Sequence, residues 1–487
     1  MPIPMTKLAE GAAWEDVTKA AEIAAWEDDP GSETAATRAA VPDLAKAPLA
    51  FVIEGPQAPP AAVYSPGTPQ FRYWTAAEAL RRAADFWEPF TKSWQQGGKP
   101  LTVRLDAGVD LNAAYTREAL VFFRGPGQDG IVWASESPDI VCHELGHAVL
   151  DSIRPDLWDA TSHEAAAFHE SFGDISAILS ALQLPSVRAA VRAETGGKLY
   201  RSSRLSRLGE QIGTAVRMLH PDSVEPDCLR NAVNSFTYVN PLTLPQMAPS
   251  SALSSEPHSF SRIFTGAFFE ILAGVVTAKA SKTQAPPISD KALLDASAET
   301  ARMLVEGVRA AALVPSFYSE VAAAMVDASA RIDPSYPAIL KLAFVRRSIL
   351  PLQTAAQDAD VKRAQFASKA AAAKARGASA PPTTRLPSLS FAPHRYGLDR
   401  PLLVHAASHR RPFLAALVNV VKPSSSPAAA TSAFVNDLFR LGRVNDAGFR
   451  VRGRGLERGN RASSHELVAE PGGARLERCC FACGMAH

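Results

Sequence analysis

The hydrophobic pattern of residues 46–355 predicts a folded body with strands first and helices later. Three segments have the character of β-strands: 49–55, 101–107 and 119–125. Residues 71–94 also have helical spacing. From residue 139 onward helical spacing runs almost throughout, and its longest runs predict helices over 263–280 and 292–313. Strands followed by helices indicate an α+β fold, because a parallel α/β sheet would instead show the two types in alternation.

Shifts in composition divide the chain into four predicted parts. They are an acidic, Ala-rich N-terminal extension (1–45), the body (46–355), an Ala/Pro/Ser-rich linker (356–398) and a small basic C-terminal module (399–487). The pentapeptide AAWED occurs twice in the first part, at 12–16 and 24–28. This repeat indicates either a small docking helix or a mobile extension. In the C-terminal module we expect a helix over 432–444.

Composition restricts the class of protein. The 487 residues carry 51 Lys+Arg and 49 Asp+Glu, so the net charge of +2 does not indicate a nucleic-acid or membrane partner. The N-terminal residues lack the pattern of a secretory signal, and no uncharged apolar run approaches 18 residues. Five cysteines, three of them at positions 479, 480 and 483, do not form a disulfide framework. We therefore expect a soluble cytoplasmic protein.

The strongest chemical signal is the motif His143-Glu144-Leu-Gly-His147. Residues four apart lie on one face of a helix, so both imidazoles can bind one metal ion. Glu144 lies beside the first ligand and can act as general base towards a water at the metal. By itself the motif is moderately specific, since a surface helix can carry two unrelated histidines.

A zinc site also needs a third protein ligand. The astacin-like pattern HExxHxxGxxH is excluded, because Leu150 and Ile153 occupy its Gly and His positions. Downstream, Glu170 and Asp174 share one face of the predicted helix 163–179. This pair supplies a ligand and a carboxylate that can hydrogen-bond the far nitrogen of a ligating histidine. We interpret Glu170 as the third ligand, and Glu164 and His169 as solvated residues of a helix face.

Together these segments resemble the thermolysin-like zinc metallopeptidases. Five segments match the family's motifs in order: LNAAY (111–115), SPDIVCHELGHAV (137–149), FHESFGDISAIL (168–179), DCLRNAV (227–233) and EPHSFSRIFTGAFFEIL (256–272). The match covers roughly residues 70–350, with gaps. It implies a two-lobed α+β fold, with an antiparallel sheet in the N-terminal lobe, a mainly helical C-terminal lobe and the zinc helix between them.

The resemblance also implies roles in substrate binding. Asn112 and Ala113 would hold the backbone of an extended peptide on an edge strand. Leu229 would line the primed-side pocket, Arg230 would lie near the substrate carbonyl, and His258 would stabilise the oxyanion. The implied activity is that of a zinc-dependent metalloendopeptidase with one Zn²⁺ per chain.

Two positions depart from the family pattern. Trp158 stands where the family has a tyrosine that hydrogen-bonds the tetrahedral intermediate, and an indole N–H differs from a hydroxyl in reach. Asp139 keeps one position of the family's paired calcium site, but Ala181 replaces its glutamate. We therefore expect no calcium.

Two alternatives remain at this point. One is a catalytically silent, zinc-stabilised binding module, and the other is a processing protease with one cognate substrate and terminal modules that recruit a partner. Cys480-x-x-Cys483 could bind metal, although a single CxxC more often is incidental. The Arg/Gly run 449–461 more often is a solvated loop than a nucleic-acid contact.

Overall fold

The computed structural model describes residues 22–32, 36–55, 57–91, 93–95, 99–283, 288–351, 386–407, 425–451 and 463–482. Its α-helices are α1 (Pro69–Trp87), α2 (Pro138–Ile153), α3 (Asp156–Asp159), α4 (His163–Ala181), α5 (Pro185–Thr195), α6 (Glu210–Leu219), α7 (Pro257–Thr283), α8 (Asp290–Ala310), α9 (Phe317–Ser329), α10 (Tyr336–Arg346) and α11 (Pro427–Arg440). Its strands are β1 (Glu22–Ala25), β2 (Thr37–Ala40), β3 (Phe51–Ile53), β4 (Leu101–Arg104), β5 (Ala113–Tyr115), β6 (Ala119–Phe122), β7 (Arg124–Gly127), β8 (Gly130–Trp133), β9 (Arg207–Leu208), β10 (Arg230–Asn231), β11 (Ser388–Phe391), β12 (Leu402–His405), β13 (Val444–Asn445), β14 (His465–Glu470), β15 (Gly473–Arg478) and β16 (Phe481–Ala482). The chain is therefore a mixed α+β protein, as the sequence predicts.

The sheet built mainly from the predicted N-terminal strands has five strands, in the order β16-β5-β6-β4-β3. Strand β5 is antiparallel to both β6 and β16, but β3, β4 and β6 run parallel to one another. The expected purely antiparallel sheet is thus wrong. Helix α1 lies between β3 and β4 in the chain, and such a long crossover allows two neighbouring strands to run in the same direction.

Helix boundaries follow local capping signals. Helix α2 begins after Ser137, whose hydroxyl accepts a hydrogen bond from the backbone N–H of Ile140, and Pro138 occupies its first turn. Helix α1 ends at Trp87 rather than at the predicted residue 94, because Pro89 has no backbone N–H to continue the helical hydrogen bonds.

The centre of the molecule is formed by α2, α4 and α7. Every residue of α4 is buried, and α2 is buried from Pro138 to Asp151, so the motif at 143–147 does not lie on a surface helix. The segment Pro257–Ser281 of α7 is long and apolar enough to cross a membrane, but 72% of its most apolar window is buried inside the fold. This is the pattern of a core helix.

The two terminal parts pack against the body. Strands β1 and β2 form an antiparallel hairpin on α1, and Trp26 makes an edge-to-face contact with Phe71 at 5.9 Å. The prediction of a docking helix or a mobile extension is therefore wrong for residues 22–32 and 36–45, and the first AAWED copy lies outside the described residues.

The C-terminal part forms a second five-stranded sheet, in the order β11-β12-β15-β14-β13, together with α11. Helix α11 covers most of the predicted helix 432–444. The imidazole of His163 joins the carboxylate of Asp437 on α11 at 2.8 Å, so this sheet and helix are attached to the N-terminus of α4. After β15 the chain leaves the C-terminal sheet, and its next strand, β16, belongs to the first sheet.

Candidate metal centre

Helix α2 presents two histidines to one buried point. The rings of His143 and His147 lie one turn apart, with centroids separated by 4.8 Å and planes nearly perpendicular. Both side chains are buried, and Glu144 beside them is fully buried. The helix is held here by its capped start and by the apolar core on its other faces.

Helix α4 supplies the third candidate ligand, Glu170. Its Oε2 atom lies 3.4 Å from Nε2 of His143 and 3.8 Å from Nε2 of His147. One potential ligand atom from each of the three residues lies within 4.8 Å of the other two. The structure therefore brings together the three residues that the sequence predicts as ligands.

Two glycines let α2 and α4 approach closely enough for this geometry. A Cβ atom on Gly146 would lie 2.7 Å from Cβ of Ser176 and 2.9 Å from Cα of Gly173. A Cβ atom on Gly173 would lie 2.7 Å from the ring of His143. Larger residues at either position would separate the helices or displace the ligand, because such contacts are shorter than van der Waals separation.

Asp174 positions His143, as the sequence predicts. Its Oδ1 atom lies 3.0 Å from Nδ1 of His143, which leaves Nε2 directed at Glu170. Arg230 holds the same carboxylate through its Nη2 atom at 2.7 Å and its Nε atom at 3.1 Å. Burial alone would raise the pKa of Asp174, but Arg230 and His143 lower it to about 2. The carboxylate therefore stays charged and fixes the orientation of the imidazole.

His258 lies at the start of α7 and contacts the same centre. Its Nε2 atom lies 3.1 Å from Oε2 of Glu170, and its Nδ1 atom lies 2.6 Å from Oε1 of Glu256. Burial alone would lower the pKa of His258, but the charges of Glu170 and Glu256 raise it to about 10. A protonated imidazole at this position is a hydrogen-bond donor directed into the site.

The donor set fits a zinc ion. Both ring nitrogens of His147 are buried without a hydrogen-bond partner among the described residues. Burial lowers the pKa of His147 to about 3, which keeps the imidazole neutral, and neighbouring imidazoles hold the pKa of Glu170 well below its usual value despite burial. Two neutral imidazoles and one carboxylate are the ligands of many catalytic zinc sites, which keep a fourth position open.

The predicted edge strand lies beside the metal centre, but a further strand covers it. Asn112 directly precedes β5, and its side-chain Oδ1 accepts a hydrogen bond from the N–H of Ala113 at 2.9 Å. On the outer side of β5, Phe481 pairs with Tyr115 and Ala482 with Ala114. The resemblance implies a free edge at this position, so the covering strand is a correction to that expectation.

The remaining predicted substrate residues divide between two sides of the centre. Leu229 and Arg230 line a small cavity together with Glu256 and His258. Trp158 instead packs on the edge-strand side, with its ring 5.5 Å from those of both Tyr115 and Phe481 in edge-to-face geometry. The structure thus places Leu229, Arg230 and His258 in one region and Trp158 in another.

Sequence reasoning missed the roles of three buried residues around the site: Glu164, His169 and Phe481. His169 and Glu164 are buried, so the prediction that they are solvated is wrong. Glu164 accepts hydrogen bonds from the hydroxyl of Tyr238 and the N–H of Tyr318, whereas the His169 ring stacks on Phe481 at 4.0 Å. The apolar run 165–168 between Glu164 and His169 covers a full turn of α4, and it was the signal that this helix is buried on all sides.

Of the C-terminal cysteines, Cys480 lies near the site. Cys480 lines the same cavity as Glu170 and His258, and burial raises the pKa of its thiol to about 11. Cys483 lies outside the described residues. The group of atoms close enough to bind one metal contains His143, His147 and Glu170 but not Cys480.

A second buried acidic group contains Asp139. Asp29 and Glu210 approach Asp139, with potential ligand atoms of all three within 4.8 Å of one another. Burial and the neighbouring aspartates raise the pKa of Glu210 to about 10. The expectation of no calcium was based on Ala181, which replaces a glutamate of the family. The carboxylates of this group come from other segments of the chain.

No protein-family model matches this sequence, and a search of curated proteins found no significant similarity.

Proposed function

We propose that this protein is a zinc-dependent metalloendopeptidase. The observation that carries the proposal is the convergence of His143, His147 and Glu170 on one buried point, with Glu144 on the same helical turn. The contact of Asp174 with His143 supports it, because ligating histidines in zinc sites normally donate their far N–H to a carboxylate or carbonyl. The order of motifs that resembles thermolysin-like peptidases supports it as well.

Each side chain then has a distinct role. Zinc held by the three ligands would supply Lewis acidity to water and to the scissile carbonyl. Glu144 accepts a proton from the attacking water and later donates a proton to the leaving amine. His258, directed into the site, stabilises negative charge on the carbonyl oxygen, where one such donor contributes about 3–4 kcal/mol. Asp174 and Arg230 keep His143 oriented.

The substrate we propose is a peptide or protein segment in extended conformation along β5. The N–H and C=O groups on the outer side of that strand are suited to pair with another backbone, and the cavity at Leu229 receives a side chain. We further propose a soluble, cytoplasmic enzyme, and the near-zero net charge supports the absence of a membrane or nucleic-acid partner. One Zn²⁺ is the cofactor, and calcium is not part of the proposal.

A second candidate is a zinc-stabilised binding module without catalysis. Two observations favour it: strand β16 occupies the outer edge of β5, and Glu144 is fully buried. A processing protease with one cognate substrate is compatible with the same observation, because a covered site excludes most peptides. Peptide hydrolysis by a variant in which β16 is held less tightly would distinguish the peptidase from the binding module.

Metal analysis of purified full-length protein tests the zinc site. We expect about one zinc per chain, retained in Glu144→Gln and lost in Glu170→Gln. Glu164→Gln is the matched control, because this buried carboxylate lies on the same helix but bonds Tyr238 and Tyr318. Absence of zinc from the wild type, or equal zinc in the two α4 variants, would overturn the ligand assignment.

Peptide hydrolysis tests the activity. Labelled casein and a peptide library are incubated with the wild type and with a Phe481→Ala chain, since Phe481 covers His147. Glu144→Gln in each background is the negative control. Zinc-loaded protein that cleaves nothing in either background would favour the binding module.

A further inference from the structure

Strand β16 reaches the metal centre from the C-terminal sheet. The hairpin of β14 and β15 ends at Arg478, and Cys479 and Cys480 link it directly to β16. The backbone N–H of Cys479 donates to the carbonyl of Ser464 at 2.9 Å, and the guanidinium of Arg478 donates to the carbonyl of Trp158 at 3.2 Å. The short strand is therefore anchored immediately before its first residue.

The hydrogen bonding of β5 shows which of its groups face β16. Towards β6, the carbonyl of Asn112 accepts from the N–H of Phe123, and the N–H of Thr116 donates to the carbonyl of Ala119. Backbone groups of alternate residues point to opposite sides of an antiparallel strand. The N–H and C=O of Tyr115 thus face outward, opposite Phe481.

The side chain of Phe481 occupies an aromatic pocket next to the ligands. Its ring stacks on His169 at 4.0 Å and on His147 at 5.0 Å, with Trp158 edge-on at 5.5 Å. The guanidinium of Arg478 lies 4.1 Å from the same ring, and the exposed fraction of Phe481 is 3%. The pocket therefore binds an aromatic side chain while the adjoining backbone pairs with the edge strand.

We propose that residues 479–482 are a tethered ligand of the substrate cleft, and that the cleft accepts an extended peptide with an aromatic residue opposite Tyr115. The inference rests on the proposed function in taking β5 as the substrate strand. Backbone pairing supplies affinity in strand addition, and side-chain pockets supply sequence preference. Since the outward groups of Tyr115 pair with one strand at a time, β16 and a substrate exclude each other.

The tether gives the internal ligand an advantage over a free peptide. A segment linked over a short distance acts at an effective concentration on the order of millimolar, so a free peptide with similar contacts competes poorly. Access to Glu144 then depends on release of β16.

Hydrogen exchange at Tyr115 tests the proposal without relying on activity. In the full-length chain, Phe481→Ala is expected to accelerate exchange of this amide on the order of tenfold or more, since buried aromatic residues dominate such contacts. Phe391→Ala in strand β11 is the matched control, because it removes the same side chain from the C-terminal sheet. Phe481→Tyr keeps the ring and is expected to restore slow exchange.

A labelled peptide, Leu-Glu-Arg-Ser-Ser-Phe-Ala, provides the second measurement. It corresponds to residues 476–482 with both cysteines replaced by serine, and it is expected to bind the Phe481→Ala chain at least about 100-fold more tightly than the wild type. Bound peptide should slow exchange at Tyr115 again. Replacing its phenylalanine with alanine should remove the binding.

The outcomes separate this inference from the proposed function. Unchanged exchange at Tyr115 and equal peptide binding by both chains would overturn the inference, even if the chain cleaves peptides. Peptide binding at Tyr115 without any hydrolysis would support the tethered ligand and overturn the peptidase. If Phe481→Ala fails to fold, Phe481→Leu takes its place, with a smaller but measurable acceleration expected.

Discussion

The close approach of α2 and α4 gives a quantitative prediction at Gly173. A Cβ atom there would lie 2.7 Å from Cε1 and Nδ1 of His143 and 2.8 Å from Nε2. Overpacking of this kind costs about 1–3 kcal/mol, whereas replacing a helical glycine with alanine gains about 0.5–1 kcal/mol. Gly173→Ala is therefore expected to be neutral or to destabilise the metal-free protein by up to about 2.5 kcal/mol.

Removing the imidazole ring of His143 should reverse the sign of the stability change caused by Gly173→Ala. In a His143→Ala background the clash is absent, so Gly173→Ala is expected to stabilise by about 0.5–1 kcal/mol. The coupling energy between the two positions is then about 1–3 kcal/mol. Urea denaturation in the presence of a metal chelator measures all four chains, so that zinc binding does not contribute to the comparison.

Gly146→Ala provides the control for this cycle. Its Cβ atom would meet Ser176 and the backbone of Gly173 rather than a ligand ring, so His143→Ala should not rescue it. If the effects of Gly173→Ala and His143→Ala add within about 0.5 kcal/mol, the predicted contact between the two positions is absent. The explanation of how α4 brings Glu170 to the metal centre would then fail.

Three further predictions concern buried polar side chains, two at the candidate metal centre and one in the second acidic group. Asp174→Asn is expected to weaken zinc binding by about 10–100-fold, measured by chelator competition, because His143 loses its charged partner. Glu210→Gln is expected to raise the melting temperature relative to the wild type at pH 8 but not at pH 5. In the Phe481→Ala background, His258→Ala is expected to lower kcat on the order of a hundredfold with KM nearly unchanged, and Trp158→Phe by less than about tenfold.

The sign of the pH effect follows from the pKa of Glu210. In the folded chain its pKa is raised from 4.5 to about 10, so the folded state keeps a proton that the unfolded state releases. The stability associated with this proton is present at low pH and is lost as the pH rises towards 10. Glutamine retains the neutral form throughout.

Specific results would contradict each of these three predictions. A destabilised Glu210→Gln at pH 8, with a higher wild-type melting temperature on adding calcium, would show that the acidic group binds a cation. Unchanged zinc affinity in Asp174→Asn would remove its positioning role. Equal, small losses of kcat from His258→Ala and Trp158→Phe would remove the oxyanion role of His258.

Local sequence patterns predict the grouping of His143, His147 and Glu170 well, because these residues lie on only two helices. The spacing of His143 and His147, and of Glu170 and Asp174, fixes which side chains share a face. The approach of the two helices depends on Gly146 and Gly173, which the periodicity does not identify as contacts. The α+β class and most long helices were likewise predictable from their apolar spacing.

Long-range pairing was not predictable in the same way. Strand β16 has two residues, too few for any alternation, and its pairing with β5 spans more than 360 residues of chain. The parallel pairing of β3 and β4 depends on the path of α1 over the sheet, and hydropathy does not record the direction of a strand.

The hydroxyl of Ser137, which caps α2, donates a hydrogen bond to Asp29 at 2.5 Å. Asp29 in turn accepts from the N–H of Gln211, so one N-terminal carboxylate joins α2 to α6. A fragment trimmed to residues 46–355 would lose this joint at one end and β16 at the other. The segments that carry Asp29 and β16 therefore belong, together with the body, to any fragment chosen for expression.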